Sequence, residues 1–286
     1  MCGIIGIIGQ DNVTQRVYDG LKRLEYRGYD SSGIAIVSDD NGGIISRRAE
    51  GKLDALRVRL DAKPFSGKIG IGHTRWATHG PATKANAHPH RGENVAVVHN
   101  GIIENYKVLK DALLADGVSF ASDTDTEVIA HLFAKYFAQA KDVKQAAQAT
   151  FAALEGAYAI ALIVNDNEDE IIVARQGSPL AIGYGQSEMF LGSDAFALAP
   201  FTNRVCYLDD GDWAVMTRDG VTIFELASGA QVERKVETGD ASAAMVDKGN
   251  YRHFMKKEIH EQPDVLSRTF GQYIDPEART VLLPEN

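Results

Sequence analysis

Met1-Cys2-Gly3-Ile4-Ile5-Gly6-Ile7-Ile8-Gly9 opens the chain, and the reading of this stretch decides the rest. The run Gly3–Gly9 is apolar and bounded by glycines, the pattern of a strand buried on both faces. Cys2 has a side chain small enough for removal of Met1 to be expected. The new first residue would then carry a thiol and a free α-amine. An unperturbed α-amine titrates near pH ~7.7–8.0 and can act as a general base at neutral pH, and a cysteine with a base beside it is an activated nucleophile. Cys2 also reads as a small apolar residue at a strand start, as many cysteines do.

Working outward, Asp11 or Asn12 can cap a helix whose apolar stripe is Val13, Val17, Leu21 and Leu24. Strands are predicted at Gly33–Ser38, Gly43–Arg47, Ile69–His73 and Val95–His99. Helices are predicted at Leu53–Ala62, Tyr106–Ala115, Thr126–Ala140 and Val143–Leu154. The third of these carries the wide apolar face Val128, Ile129, Leu132, Phe133, Tyr136 and Phe137. The character then changes to short strands separated by Gly, Pro, Asn and Asp: Ala157–Val164, Glu170–Arg175, Leu180–Tyr184, Met189–Ser193, Val205–Leu208, Trp213–Thr217 and Val221–Leu226. Bunched strands and bunched helices predict antiparallel sheets with helices packed on them, an α+β layering rather than a doubly wound parallel sheet.

The small polar stretch Glu237–Asn250 reads as a linker. Beyond it, the charge-rich Tyr251–Gln262 reads as a helix stopped by Pro263. A second short helix is expected to about Tyr273, with Pro276 and Pro284 punctuating a loose tail. The chain therefore divides into a domain over 2–236, a linker over 237–250 and a helical segment over 251–286.

Composition narrows the function classes. The 286 residues are 44% hydrophobic and 24% charged, ordinary for a soluble globular protein. A formal net charge of -9 argues against a general nucleic-acid binder, which needs a basic face. No run approaches the ~18 apolar residues of a membrane span, and the N-terminus has no secretory pattern. Cys2 and Cys206 are the two cysteines, too few for a disulfide framework and suited to a reducing compartment. Cys206, in the apolar run Val205–Leu208, reads as core filler.

The densest chemical cluster is His73-Thr74-Arg75-Trp76-Ala77-Thr78-His79-Gly80-Pro81, a strand running into a loop where binding residues tend to sit. The Arg75 guanidinium suits bidentate capture of a carboxylate, or else a surface ion pair. His73, His79, His88 and His90 lack zinc-ligand spacing and have no thiolates nearby, so no metal is expected. His88 is an alternative base for Cys2. Asn100-Gly101 reads either as a plain turn or as an oxyanion hole made of the Asn100 side-chain amide and the Gly101 N–H. Ser122–Glu127 reads as an acidic helix start, in which Asp125 could also receive an ammonium group. Gly67–Gly72 lacks the phosphate-loop pattern, and its glycines relieve strand crowding.

Taken together, Cys2-Gly3-Ile4, Arg23–Ser31, His73–Gly80, His99–Asn105 and Ser122–Glu127 resemble the glutaminase domains of the glucosamine-6-phosphate synthase family. The segment Asp247–Pro263 resembles that family's lead-in to its sugar isomerase domains. Amidophosphoribosyltransferase, asparagine synthetase and glutamate synthase share the Cys start but not this segment. The resemblance implies an N-terminal nucleophile hydrolase fold, with two stacked antiparallel sheets between helical layers. It also implies hydrolysis of the glutamine side-chain amide, with ammonia passed on for amino-sugar synthesis from fructose 6-phosphate. Carried over by motif, Cys2 is the nucleophile, and Asn100 with Gly101 forms the oxyanion hole. Arg75 holds the α-carboxylate of L-glutamine and Asp125 its α-ammonium. Thr78 and His79 shape the substrate loop, Arg27 lies near the nucleophile and Trp76 gates the ammonia passage. No cofactor is implied. The implied partner is a sugar isomerase domain in a cytoplasmic, homodimeric enzyme, and that domain is not contained in these 286 residues. The rival readings are a glutaminase serving a different synthase, and a module that binds glutamine without turnover.

Overall fold

The computed structural model describes residues 2–39, 43–77, 79–165 and 170–239, together with 255, 256, 259, 260, 262, 263, 266, 270, 274, 275, 280 and 281. Two compact units are present, Met1–Met245 and Val246–Asn286.

In the first unit the chain forms β1 (Gly3–Ile8), α1 (Thr14–Leu24), β2 (Ser31–Val37), β3 (Ile44–Glu50), α2 (Leu53–Ala62), β4 (Ile69–Arg75), β5 (His90–Arg91) and β6 (Val95–Ile103). There follow α3 (Tyr106–Ala115), α4 (Glu127–Ala140), α5 (Val143–Ala152), β7 (Gly156–Val164), β8 (Ile171–Gln176), β9 (Ala181–Tyr184) and β10 (Met189–Gly192). The unit closes with α6 (Ala195–Leu198), β11 (Arg204–Tyr207), β12 (Asp212–Met216), β13 (Val221–Glu225), β14 (Gln231–Val232) and β15 (Val236–Thr238). These strands make an eight-stranded sheet, β15-β11-β9-β10-β1-β4-β2-β3, and a seven-stranded sheet, β14-β13-β12-β8-β7-β6-β5. The pairings within both are antiparallel. The predicted α+β class and its two antiparallel sheets are what the chain forms.

The layering follows from strand alternation, since successive side chains point to opposite faces. On β1, Ile4 and Ile8 enter a core between the sheets with Ala35, Ile71, Ala96, Val98, Ala159, Ala161 and Val173. Ile5 and Ile7 point the other way, into a second core with Val13, Val17, Leu21 and Leu24 of the α1 stripe. A third core packs Val128, Ile129, Leu132 and Phe133 of α4 on the outer face of the seven-stranded sheet. Both faces of each sheet are therefore covered, which is why β1 reads as an unbroken apolar run. Gly72 on β4 permits α1 to lie close, because a Cβ there would sit 2.7 Å from Val17 Cγ1. The N-cap of α1 is Val13, without a side-chain cap, rather than Asp11 or Asn12, though Asn12 Oδ1 accepts from Thr14 N at 3.0 Å; Cys206 is fully buried between the sheets.

Several local expectations change. The Asn100-Gly101 pair is not a turn: β6 continues through it to Ile103, held by pairing with β7 from Ile103↔Gly156 to Val95↔Val164. The start of α4 at Thr126 carries no side-chain cap, and Glu127 instead reaches back to the preceding loop. The stretch after Val236 is not all linker, since Val236–Thr238 pairs with β11. In the second unit Pro263, expected to stop a helix, is itself helical. Ile274–Asp275 pairs with Thr280–Val281, where a loose tail was expected. Residues 240–254 lie outside the described residues.

Leu21 is fully buried under the eight-stranded sheet. Its replacement by Ala should lower unfolding free energy by about 2–5 kcal/mol through lost burial and a residual cavity. Urea denaturation measures this, and a change below about 0.5 kcal/mol, the scale of surface substitutions, would contradict the packing described.

Candidate active site

Register sets the nucleophile candidate beside its neighbours. Gly3 on β1 pairs with Thr74 on β4, so Cys2, one residue earlier, meets Arg75 and Trp76. The Cys2 Sγ accepts the Trp76 N–H at 3.2 Å and donates to the Trp76 carbonyl at 3.4 Å. Burial pushes the Cys2 thiol above its ordinary value, against the lowering influence of the Trp76 backbone bond and the Arg75 charge. The sulfur is therefore a thiol at neutral pH and needs a base to become a nucleophile.

The second sheet delivers the oxyanion candidates. Asn100 Nδ2 donates to the Cys2 carbonyl at 3.2 Å and to Ser193 Oγ at 2.9 Å. Gly101 stands at φ +127°, a backbone state that favours glycine. A side chain there would overlap the Ala157 carbonyl. Cys2, Arg75, Trp76, Gly101 and Asp125 line one cavity together with His88 and His99.

Arg75 is buried and is not a surface ion-pair residue. Its guanidinium donates to the carbonyls of His79, Gly80 (3.3 Å) and Pro81 (3.1 Å), fixing the loop that follows β4. Asp125 is buried and accepts from Ile103 N at 2.9 Å. The flanking threonines anchor this carboxylate's loop, Thr124 Oγ1 lying 3.0 Å from His90 Nε2 and Thr126 Oγ1 2.9 Å from His99 Nδ1. Glu127 tightens the same loop by accepting from Ala121 N, Ser122 N and Ser122 Oγ at 2.8, 2.7 and 2.6 Å. Burial works against its ionisation, but bonds from His131, Ser122 and Ala121 N–H outweigh this and hold its carboxyl at about 2.

The remaining expected residues are placed less uniformly. Trp76 is half-exposed and meets Tyr29 edge-on at 5.9 Å. The His79 ring packs edge-on against Tyr106 at 5.8 Å. Arg27 does not line the cavity. It pairs with Asp194 at 2.7 Å and with the Tyr26 hydroxyl at 3.2 Å. Thr78 lies outside the described residues. Among the described residues no group of three or more His, Cys, Asp or Glu side chains is arranged to hold a metal ion.

Sequence reading missed the supports. His73 stacks on His88 at 4.1 Å, and His88 meets His90 at 4.8 Å. His73, His88, His90 and His99 are all buried. Burial holds His73 and His90 at about 3 and lowers His88 and His99. Neighbouring cationic or ionisable groups add to the lowering, Arg48 at His90 and the other histidines at His88. His88 is thus a poor base for a thiol. Ser193, 189 residues from its partner Ile4, carries no local signal that could have singled it out.

The stacked sheets and their helices define an N-terminal nucleophile hydrolase fold, with a cysteine as the candidate nucleophile. Residues 73–200 match the glutamine amidotransferase domain family. The chain is similar to the glutamine–fructose-6-phosphate aminotransferase [isomerizing] of Mesorhizobium japonicum, 56% identical over 96% of this chain and 45% of the relative. It is 53% identical to that of Zymomonas mobilis over 100% of this chain and 46% of the relative. Among solved structures, the Bacillus subtilis glutamine phosphoribosylpyrophosphate amidotransferase superposes with TM-score 0.68 at 27% identity, covering 79% of this chain and 49% of that one. Residues 73–200 thus carry a glutamine amidotransferase domain. The chain is homologous to the glutamine–fructose-6-phosphate aminotransferases, and it spans about half the length of the curated relatives it matches.

Acid should unfold this protein early. The four histidines have folded values below the ordinary 6.5, so the unfolded chain takes up protons first as pH falls. Their stabilising contribution is complete above pH 6.5 and is lost progressively towards pH 3. Glu127, held at about 2 against 4.5, adds a further loss below pH 4.5. Urea midpoints should fall steadily between about pH 6.5 and 5, and a midpoint constant across that interval would contradict the buried neutral assignment.

Proposed function

We propose that this chain hydrolyses the side-chain amide of L-glutamine through Cys2 and that the ammonia serves glucosamine 6-phosphate synthesis from fructose 6-phosphate. The observation that carries the reading is the meeting of Cys2 with Asn100 and Gly101 across two sheets, beside Arg75 and Asp125. The charges are apt for an amino acid: a buried guanidinium for its α-carboxylate and a buried carboxylate for its α-ammonium.

With Met1 removed, the Cys2 α-amine takes the thiol proton and the sulfur attacks the amide Cδ. Asn100 Nδ2 and Gly101 N–H stabilise the oxyanion. The tetrahedral adduct collapses as the amine returns the proton to the leaving nitrogen, releasing ammonia and a γ-glutamyl thioester. Water then attacks the thioester, giving glutamate and restoring the thiol. The raised thiol value supports the need for such a base. In this reading Thr78 and His79 shape the substrate loop and Trp76 gates the exit of ammonia, while Arg27 pairs with Asp194. The whole enzyme in this reading is a cytoplasmic homodimer in which a sugar isomerase domain receives the ammonia. No nucleic acid or membrane enters the reaction.

Steady-state glutaminase kinetics test the assignment. Arg75→Ala and Asp125→Ala should mainly raise KM, because ground-state charge contacts hold substrate and transition state alike. Asn100→Ala should lower kcat by about 10²–10³-fold with KM little changed. Protein shown by mass spectrometry to retain Met1 should be inactive. Asn100→Ala that raises KM with kcat untouched, or full activity with Met1 in place, would count against the reading.

A further inference from the structure

The Asn100 amide is clamped at both ends by groups that no part of the proposed reaction uses. At one end His73 Nε2 lies 3.0 Å from Asn100 Oδ1 and 3.0 Å from the His99 carbonyl oxygen. At the other, Ser193 Oγ receives Asn100 Nδ2 at 2.9 Å and Ile4 N at 2.7 Å.

Backbone acceptors fix every polarity here. The Cys2 carbonyl can only accept, so the Asn100 atom facing it is the amide nitrogen and Oδ1 faces His73. The His99 carbonyl can only accept, so His73 Nε2 carries a proton and serves both oxygens as a shared donor. Burial keeps the ring neutral, and Nδ1, which then bears only a lone pair, has no partner among the described residues. The ring cannot swing away, because His88 is stacked on it at 4.1 Å and 29°. His88 in turn accepts the His99 N–H on Nδ1 at 3.4 Å. His99, the residue before Asn100, is thus gripped on both its backbone N–H and its C=O by two histidine rings.

From this geometry we propose that His73 is a positioning residue for the oxyanion hole, donating from Nε2 to Asn100 Oδ1 so that the amide nitrogen stays aimed at the nucleophile, with Ser193 as the opposing stop. The inference rests on the glutaminase reading above. Without the His73 bond the amide is held only through its nitrogen, by the Cys2 carbonyl and Ser193 Oγ, about a last torsion that is broad and nearly two-fold, so the flipped form becomes more accessible. The flipped form presents an oxygen to the developing oxyanion, a repulsion in place of a bond. Loss of the clamp therefore acts on the transition state and leaves glutamine binding alone. The tautomer also polarises the amide in the useful sense, since a donor at Oδ1 makes Nδ2–H a better donor.

The experiment is glutaminase kinetics on His73→Leu, His73→Gln, Ser193→Ala and the double variant His73→Leu/Asn100→Ala. His73→Leu should lower kcat by about 10–10²-fold, part of the loss for a deleted oxyanion donor, with KM within about twofold. His73→Gln, whose amide N–H can reach Oδ1, should recover most of that rate. The double variant should be no slower than Asn100→Ala alone, because two residues acting through one bond are not additive. Should His73→Leu fail to fold, Ser193→Ala carries the test with the same split between kcat and KM. Multiplying losses in the double variant, a KM effect alone, or no rescue by Gln overturns the proposal. So does a nitrogen-15 spectrum showing His73 protonated on Nδ1. A wild-type protein that does not hydrolyse glutamine sinks the glutaminase reading and this inference with it. An active wild type indifferent to His73→Leu sinks this inference alone.

Discussion

The hydrogen bond from Asn100 Nδ2 to the Cys2 carbonyl, 3.2 Å long between residues 98 apart, ties the two sheets together at the candidate nucleophile. Everything functional depends on that approach. Cys2 immediately precedes β1 of the eight-stranded sheet and Asn100 lies on β6 of the seven-stranded one, and a pair of stacked sheets ordinarily stands ~10 Å apart. The core between them includes, beside Asn100 on β6 and β7, the short side chains Val98, Ala159 and Ala161. Small facing residues let the sheet ends converge where a nucleophile must meet its oxyanion donors. Larger residues there would part the two halves of the site without touching either.

The second constraint is electrostatic. Beyond β5, whose pairing with β6 covers only Val97 and Ala96, the His88 and His73 rings take the place of a strand partner and bond the His99 peptide. Imidazoles suit this role because a neutral ring can donate from one nitrogen and accept on the other. They do so only while uncharged, and burial keeps them so. The same set reaches Thr124 and Thr126 on either side of Asp125. A single buried cluster therefore orients both the amide donor and the carboxylate, trading acid tolerance for a rigid site.

Much of the architecture was legible because each element carries its own period. The helices α2 and α3 have the predicted bounds, and α1 buries its whole predicted stripe. The strand β1 was readable because glycines bound a run of isoleucines buried on both faces. What escaped reading was non-local. Nothing near Asn100-Gly101 distinguishes a turn from a strand, since the pairing partners Ala159 and Tyr158 lie almost sixty residues away. Ser193 and Asp194 gain meaning only through Ile4, Asn100 and Arg27. His73 and His88 looked like failed metal ligands in one dimension, and only the sheet register stacks them. The catalytic candidates themselves were legible by their chemistry, a thiol, an amide, a guanidinium and a carboxylate. The groups that hold them were not.

The central claim is that Cys2 is the group that becomes acylated. The direct measurement is mass spectrometry of protein quenched with acid during turnover of glutamine, followed by peptide mapping. The account predicts a γ-glutamyl group on the N-terminal peptide that begins at Cys2, carried on sulfur and released by hydroxylamine. Glutamine hydrolysis with no acyl group on Cys2, or with the group found on another residue, would contradict it.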